Sequence, residues 1–499
     1  MMIQTGPFQS APVLDQAGQI FNGRGLEKFG RSLRVDFDTG IEIESLLLGW
    51  SVLRYRTIFF LAGLAYLTFV VYGSLVPLDF HPRPFDAAIR DFSRIPYLRL
   101  GMGSRADWVA NILLYIPLPI LWLSCLSRES RFFLRAICSL AIFIFCVALS
   151  LAIEFTQLFF PPRTVSLNDI IAEILGSFLG IALWWASGKR LRGLIEPVFA
   201  QGRRAAYAGL VLYAVAYLAF SLFPYDFLIS IAEIKAKLNG EYFHWFASSA
   251  NCGGPLRCGV KLMVEASAAA PLGLLLALTL RYSFGRLIGL SMLIGFCLGL
   301  TIETLQILLV SGLTLGASVI TRVVGVAAGA AAGYLLKQNS LWPLLYLVRR
   351  VVPITAILYV VLLVAVVSVG KGPMLTLEQG VRRLNEINYL PFFYHYYTSE
   401  SAAMTSLLGV VAMFLPIGVQ YWIWRVTQFH AFLARGTFTA AFLGWIVCVG
   451  LEFYKLFLAG ARPDPTNVAV ATLATAAGFL GASVCAQSGL GLRAVKESD

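Results

Sequence analysis

Ser150-Leu151-Ala152-Ile153-Glu154-Phe155-Thr156-Gln157 closes an apolar run that begins near residue 134, and the acid inside it decides the fold. A charged side chain at membrane depth costs about 2.5 to 3.5 kcal/mol on insertion scales, so it calls for a partner or a function. The same frame returns as Ile302-Glu303-Thr304-Leu305-Gln306 and as Leu451-Glu452-Phe453-Tyr454-Lys455, each glutamate 149 residues after the one before. A glycine follows each by 26 residues, at Gly180, Gly329 and Gly478. One such acid is an accident of sequence, whereas three in register mark a repeat.

The surroundings make the run a membrane span. The 499 residues are 58% hydrophobic and 13% charged, with a mean hydropathy of +0.75, outside the range of ordinary soluble domains. About 20 apolar residues cross a bilayer as helix, and windows of that kind occur twelve times between residues 57 and 487. The expected fold is therefore all-α and integral to the membrane, with about 12 transmembrane helices arranged as three parallel four-helix repeats. The copies are parallel because four spans return the chain to the side from which it entered. The expected boundaries are a cytoplasmic tail at 1–54 and units at 55–190, 203–338 and 350–488.

A net charge of +12 in a soluble chain would suggest nucleic acid, but here the basic residues follow the spans. With the N-terminus inside, 23 of the 39 Lys and Arg residues lie on the cytoplasmic side and 14 on the outer side, with Arg322 and Lys455 within spans. This distribution favours a cytoplasmic N-terminus and makes anionic membrane lipids, rather than nucleic acid, the partner of the charge. Residues 1–50 lack the early apolar core of a signal peptide, so the tail is expected to stay in the cytoplasm. Six of eight cysteines fall in or beside spans, where a thiol packs as a small apolar group. Cys252 and Cys258 flank Gly253-Gly254-Pro255-Leu256-Arg257 in a predicted outer loop, where a disulfide and two free thiols are both open. Without nearby His or further Cys they leave a metal incompletely coordinated, and no metal or cofactor is expected.

Other landmarks recur with the glutamate. The first spans end near Pro77, Pro224 and Pro373, and long outer connections follow near 77–108, 225–260 and 371–402. Two of these carry aromatic clusters, at 242–246 and 392–397, suited to the headgroup level. The second spans contain Pro117, Pro271 and Pro416, each predicting a local kink. Glycine and alanine concentrate on the fourth spans, where they let helices approach closely.

The first unit is richest in polar groups. Arg105, Asp107 and Asn111 open its second span, Glu154 and Gln157 close its third, and Arg163, Ser166, Asp169 and Glu173 surround the start of its fourth. All belong to the outer ends of their helices in the expected topology. Glu154 and Gln157 are three apart and Asp107 and Asn111 four apart, so each pair shares a helix face. Arg105 and Arg163 suit a phosphate or carboxylate through the planar guanidinium fork. Asn111 and Gln157 suit hydroxyls, and Glu154, Asp169 and Asp107 are the candidate acid and base groups if chemistry occurs. A buried polar network that joins the helices accounts for the same residues. In the second unit Gly312, Ser318 and Arg322 replace Arg163, Asp169 and Glu173, and Glu265, Glu303 and Arg322 can form a buried ion pair. In the third, Lys455 stands three residues after Glu452 and can neutralise it.

These residues resemble the VanZ-like family of bacterial membrane proteins. The match rests on Val76-Pro77-Leu78-Asp79-Phe80, on Asp107 through Asn111-Ile112-Leu113-Leu114-Tyr115-Ile116-Pro117-Leu118, on the stretch at 150–157, and on Pro162 through Asp169-Ile170 to Gly176 and Gly180. It covers 55–187 well and the other units progressively less, departing from the family pattern at Glu173 and Pro119. The resemblance implies a four-span cytoplasmic-membrane protein; the founding member is linked to low-level tolerance of the glycopeptide antibiotic teicoplanin. The leading expectation is an inner-membrane protein that binds or modifies a cell-envelope amphiphile, such as a lipid-linked glycan, at an outer-leaflet polar site. A multi-span transporter and a scaffold for a partner envelope enzyme are the alternatives.

Overall fold

The computed structural model describes residues 40–98, 101–126, 131–195, 203–239, 243–244, 255–312, 314–338, 342–429 and 436–487. Side chains are described throughout these except at 40–55, 102–103, 189–195, 204, 243–244, 255–257, 314, 342, 429 and 487. The chain divides into residues 1–61 and 62–499, and the first part holds the beginning of helix α1. The tail expected at 1–54 is helical from Gly40, and residues 1–39 lie outside the described ones.

Helices account for about four fifths of the described residues. The first quartet is α1 (Gly40–Leu75), the broken pair α3 (Met102–Tyr115) and α4 (Pro117–Ser124), α5 (Phe132–Gln157) and α6 (Leu167–Ile195), with a short α2 (Phe85–Phe92) between α1 and α3. The second is α7 (Arg203–Ser221), short α8 (Ile231–Leu238), α9 (Pro255–Thr279), α10 (Phe284–Ile307) and α11 (Gly316–Gln338). The third is α12 (Trp342–Ser368), short α13 (Leu377–Asn385), a single turn α14 (Phe393–Tyr396), α15 (Glu400–Phe429), α16 (Thr437–Leu456) and α17 (Pro465–Gln487). Two-residue strands β1 (Phe243–His244) and β2 (Thr314–Leu315) pair in parallel.

Among the described residues eleven helices are long and apolar enough to cross a membrane, and a twelfth apolar stretch, Ala205–Ser221, is shorter. Arg203 and Arg204 at the start of α7 cut that window short. The protein is thus an all-α integral membrane protein. Of the three prolines in second spans, Pro117 breaks its helix, while Pro271 and Pro416 lie inside continuous α9 and α15. Pro119 makes the difference: two prolines two residues apart remove two backbone donors from one turn.

In each quartet the second and fourth helices meet at glycine. A Cβ on Gly180 would overlap the Ile116 carbonyl, and one on Gly329 or Gly478 would overlap the carbonyl of Ala270 or Leu415. Backbones this close leave no room for a side chain, which is why the glycine recurs. The segment after each first helix bonds to the end of the third: His81 N–H donates to Phe159 O at 2.8 Å, Leu228 N–H to Leu308 O at 2.7 Å and Leu375 N–H to Phe457 O at 2.7 Å. A cation on that segment then caps the free carbonyls at the third helix's C-terminus, where the helix dipole favours positive charge. Arg83 donates to Leu158 O at 3.3 Å, Lys237 to Gln306 O at 3.1 Å, and Arg383 to Leu456 O at 2.8 Å and Leu458 O at 3.0 Å. Burial among these carbonyls lowers the Lys237 pKa from its ordinary value. Cys258 is disulfide-bonded, and Cys252 lies outside the described residues.

Candidate functional site

The three recurring glutamates are all at the C-terminal ends of α5, α10 and α16, and all face the chain entering the fourth helix. Glu303 accepts the Leu315 N–H at 2.8 Å and Glu452 the Asp464 N–H at 2.8 Å, while the Ser166 N–H is the corresponding group at Glu154. One carboxylate oxygen per quartet thus helps to fold the turn into the fourth helix, twelve residues on.

The other oxygen separates the quartets. Glu303 accepts from Arg322 at 2.5 Å with both side chains buried, and Tyr217 Oη accepts from the same guanidinium at 3.3 Å. Glu452 accepts from Lys455 Nζ at 2.7 Å and from Asn467 Nδ2 at 2.9 Å. Glu154 is 2% exposed and its Oε2 has no hydrogen-bond partner. Glu173, 3% exposed on α6, also has an unpartnered Oε2. The Tyr115 and Ser150 hydroxyls lie beside the Glu173 carboxyl and interact with it, but neither meets hydrogen-bond geometry there. Buried polar atoms are otherwise almost always satisfied, and an orphaned cluster needs an explanation.

Around this core the expected residues divide. Asp169 joins it: Asn111 Nδ2 donates to Asp169 Oδ1 at 2.8 Å and Ser166 Oγ to Oδ2 at 2.6 Å, which fixes the start of α6 against α3. Arg163 lies at the rim, where its guanidinium donates to the Gly73 carbonyl and stacks 4.8 Å from the Tyr396 ring centre, with Nε unpartnered. Burial lowers the Arg163 pKa from its ordinary value, against the opposing influence of Tyr396, Glu154 and Asp107. Gln157 reaches elsewhere, donating to the Ser74 carbonyl at 2.9 Å; Gln306 does the same to Ser221 O at 3.1 Å, so this amide ties the first and third helices.

Arg105 is also committed elsewhere. It forms a forked pair with Glu233 of α8, both contacts at 3.0 Å, and donates to Phe227 O at 3.3 Å. Two residues on a helix are about 200° apart, so Arg105 faces away from Asp107. Asp107 is exposed and lies beside the Glu400 carboxyl at the start of α15. The site therefore gathers Glu154, Asp169, Asn111 and Arg163, has Asp107 at its edge, and omits Arg105 and Gln157.

Sequence reasoning did not single out Tyr115, Ser150 or Tyr396 as site groups. Ser150 carries a legible signal, being four residues before Glu154 on the same face. Tyr115 is hidden in an apolar run, and Tyr396 comes from the third quartet with nothing local to announce it. Most of the aromatic cluster at 242–246 lies outside the described residues, whereas Tyr396 and Tyr394 each cover an arginine, Arg163 and Arg462. Among the described residues no three His, Cys, Asp or Glu side chains gather as a metal site.

Residues 52–188, which contain every residue of this cluster except Tyr396 and Glu400, match the model of the VanZ/LLP1 family. No curated protein and no solved structure matches the chain.

Proposed function

From a VanZ-like first quartet in which, among the described residues, two buried carboxyls each keep an oxygen without a hydrogen-bond partner, we propose a protein that binds the polar group of a cell-envelope amphiphile, a lipid-linked glycan or similar molecule. In this reading the chain comprises three copies of one four-helix unit, in the cytoplasmic membrane of a bacterium with its N-terminus inside. The site then opens toward the outer leaflet. The supporting observation is the set of orphaned atoms, Glu154 Oε2, Glu173 Oε2, Tyr115 Oη and Ser150 Oγ, against the fully engaged Glu303 and Glu452. Carboxylates accept sugar hydroxyls, and the remaining Arg163 donors suit a phosphate or carboxylate. If the bound group is also modified, Glu154 and Asp169 are the acid and base pair closest to it. Glu154 and Asp169 are toward one end of their spans and Arg163 is in the turn between them, with Ser150 about two turns in and Tyr115 near the middle of the span Ser104–Ser124.

The test is native mass spectrometry of the purified full chain. Wild type retains an endogenous amphiphile, and Glu154→Gln and Arg163→Ala lose it while keeping membrane abundance and melting temperature. Equal retention by both variants overturns the reading. Loss of abundance in both favours a network that only holds the helices.

A further inference from the structure

A shallow, open cleft of about 610 Å³ lies along α15 beside the ends of α16 and α17, with Lys455 and Asn467 among its lining residues. It occupies the third quartet's counterpart of the cluster around Glu154. Counted by the same interval, Asn467 stands where Asp169 does and Ala471 where Glu173 does. Both replacements are uncharged, so the third quartet carries fewer acids here than the first.

The polar groups of the cleft are balanced. Lys455 and Glu452 neutralise each other at 2.7 Å, so a bound anion would meet Glu452 and a bound cation Lys455. Asn467 is 7% exposed and spends Nδ2 on Glu452, while its buried Oδ1 has no partner. Lys455 has two further N–H donors. Ser401, Thr405 and Ser406 add hydroxyls along one wall of α15, and Val410 and Met413 continue that wall as apolar surface. Paired donors and acceptors without net charge match hydroxyl groups, which both give and take hydrogen bonds. The apolar continuation matches a hydrocarbon tail.

We propose that this cleft binds the uncharged, hydroxyl-rich headgroup of a glycosylated membrane lipid, with the sugar on Asn467 and Lys455 and the tail along Val410 and Met413. The proposal does not rest on the first-quartet reading. Gly409 gives a direct test, because it lines the cleft and a Cβ there meets nothing within 4 Å, so Gly409→Leu starts its side chain in open space. The full chain is placed in phosphatidylethanolamine and phosphatidylglycerol nanodiscs with added monoglucosyl diacylglycerol, and adducts are read by native mass spectrometry. Wild type and Glu154→Gln are expected to hold the glycolipid, and Gly409→Leu to hold it about tenfold less, a loss of about 1.4 kcal/mol. Asn467→Leu should weaken it likewise, and Ser406→Phe at the mouth serves if either variant melts early. Equal adducts in Gly409→Leu and wild type overturn the proposal. So does equal binding of plain diacylglycerol, of methyl glucoside without a tail, or of phosphatidylglycerol.

Discussion

Glu303 and Arg322 are 5% and 4% exposed and hold each other at 2.5 Å in the second quartet. Removing one partner of a buried pair leaves the other charge uncompensated, at a cost of about 3 to 5 kcal/mol, whereas replacing both by apolar groups is often close to neutral. Glu303→Leu is therefore expected to melt far below wild type in detergent, and Glu303→Leu with Arg322→Met to recover most of the loss. Glu154 contrasts with it. Glutamine there can still accept the Ser166 N–H through its carbonyl oxygen, and no contacting cation is stranded. The two glutamates look alike in sequence because their frames are alike; what divides them is residue 173 against 322, on another helix, and only the counted interval brings those positions into view.

The short helices between first and second spans carry more than connection. Arg383 of α13 donates to three carbonyls at 2.8 to 3.3 Å at the end of α16. A hydrogen bond to a charged donor contributes about 1.5 to 3 kcal/mol, so Arg383→Met should cost about that much and raise amide exchange around 456–461. Helix α8 makes a similar link to α3 through Arg105 and Glu233, whose hydrogen bond holds the carboxyl at about 2, below its ordinary 4.5. A depressed carboxylate contributes stability above its unfolded value and loses it as pH falls through the folded one. The link is thus complete above pH 4.5 and lost toward pH 2, and Glu233→Gln should flatten the melting temperature across that interval. Both capping boxes, Ser230 with Glu233 and Thr376 with Gln379, are short local signals of α8 and α13 in segments whose hydropathy reads only as long connections. The use of Glu233 as Arg105's partner is not local, since 128 residues separate them. This is why Arg105 reads as a ligand group in sequence and as a clasp in three dimensions.

Across the whole molecule, spans and close helix contacts were the legible part. Apolar length predicts the helices, and the glycine at a fixed distance from each glutamate predicts where the fourth helix meets the second. Gly329→Ala should consequently push α9 and α11 apart, at about 1 to 3 kcal/mol for an overpacked contact, and lower the yield of folded protein in detergent extracts. Contacts between quartets were illegible, because nothing in an apolar pattern says which lipid-facing surface finds another helix. The aromatic segment at 392–397 is the sharpest case, reading as an interfacial anchor while Tyr396 closes over Arg163. Tyr396 donates to Pro162 O across 234 residues, and Tyr72 to Pro391 O at 2.6 Å across 319. Synthesis runs from the N-terminus, so the first quartet is in place long before its cover exists. Its polar cluster is begun first and finished last, and a chain released before residue 396 would hold Arg163, in the turn between α5 and α6, by the Gly73 carbonyl with no ring above it.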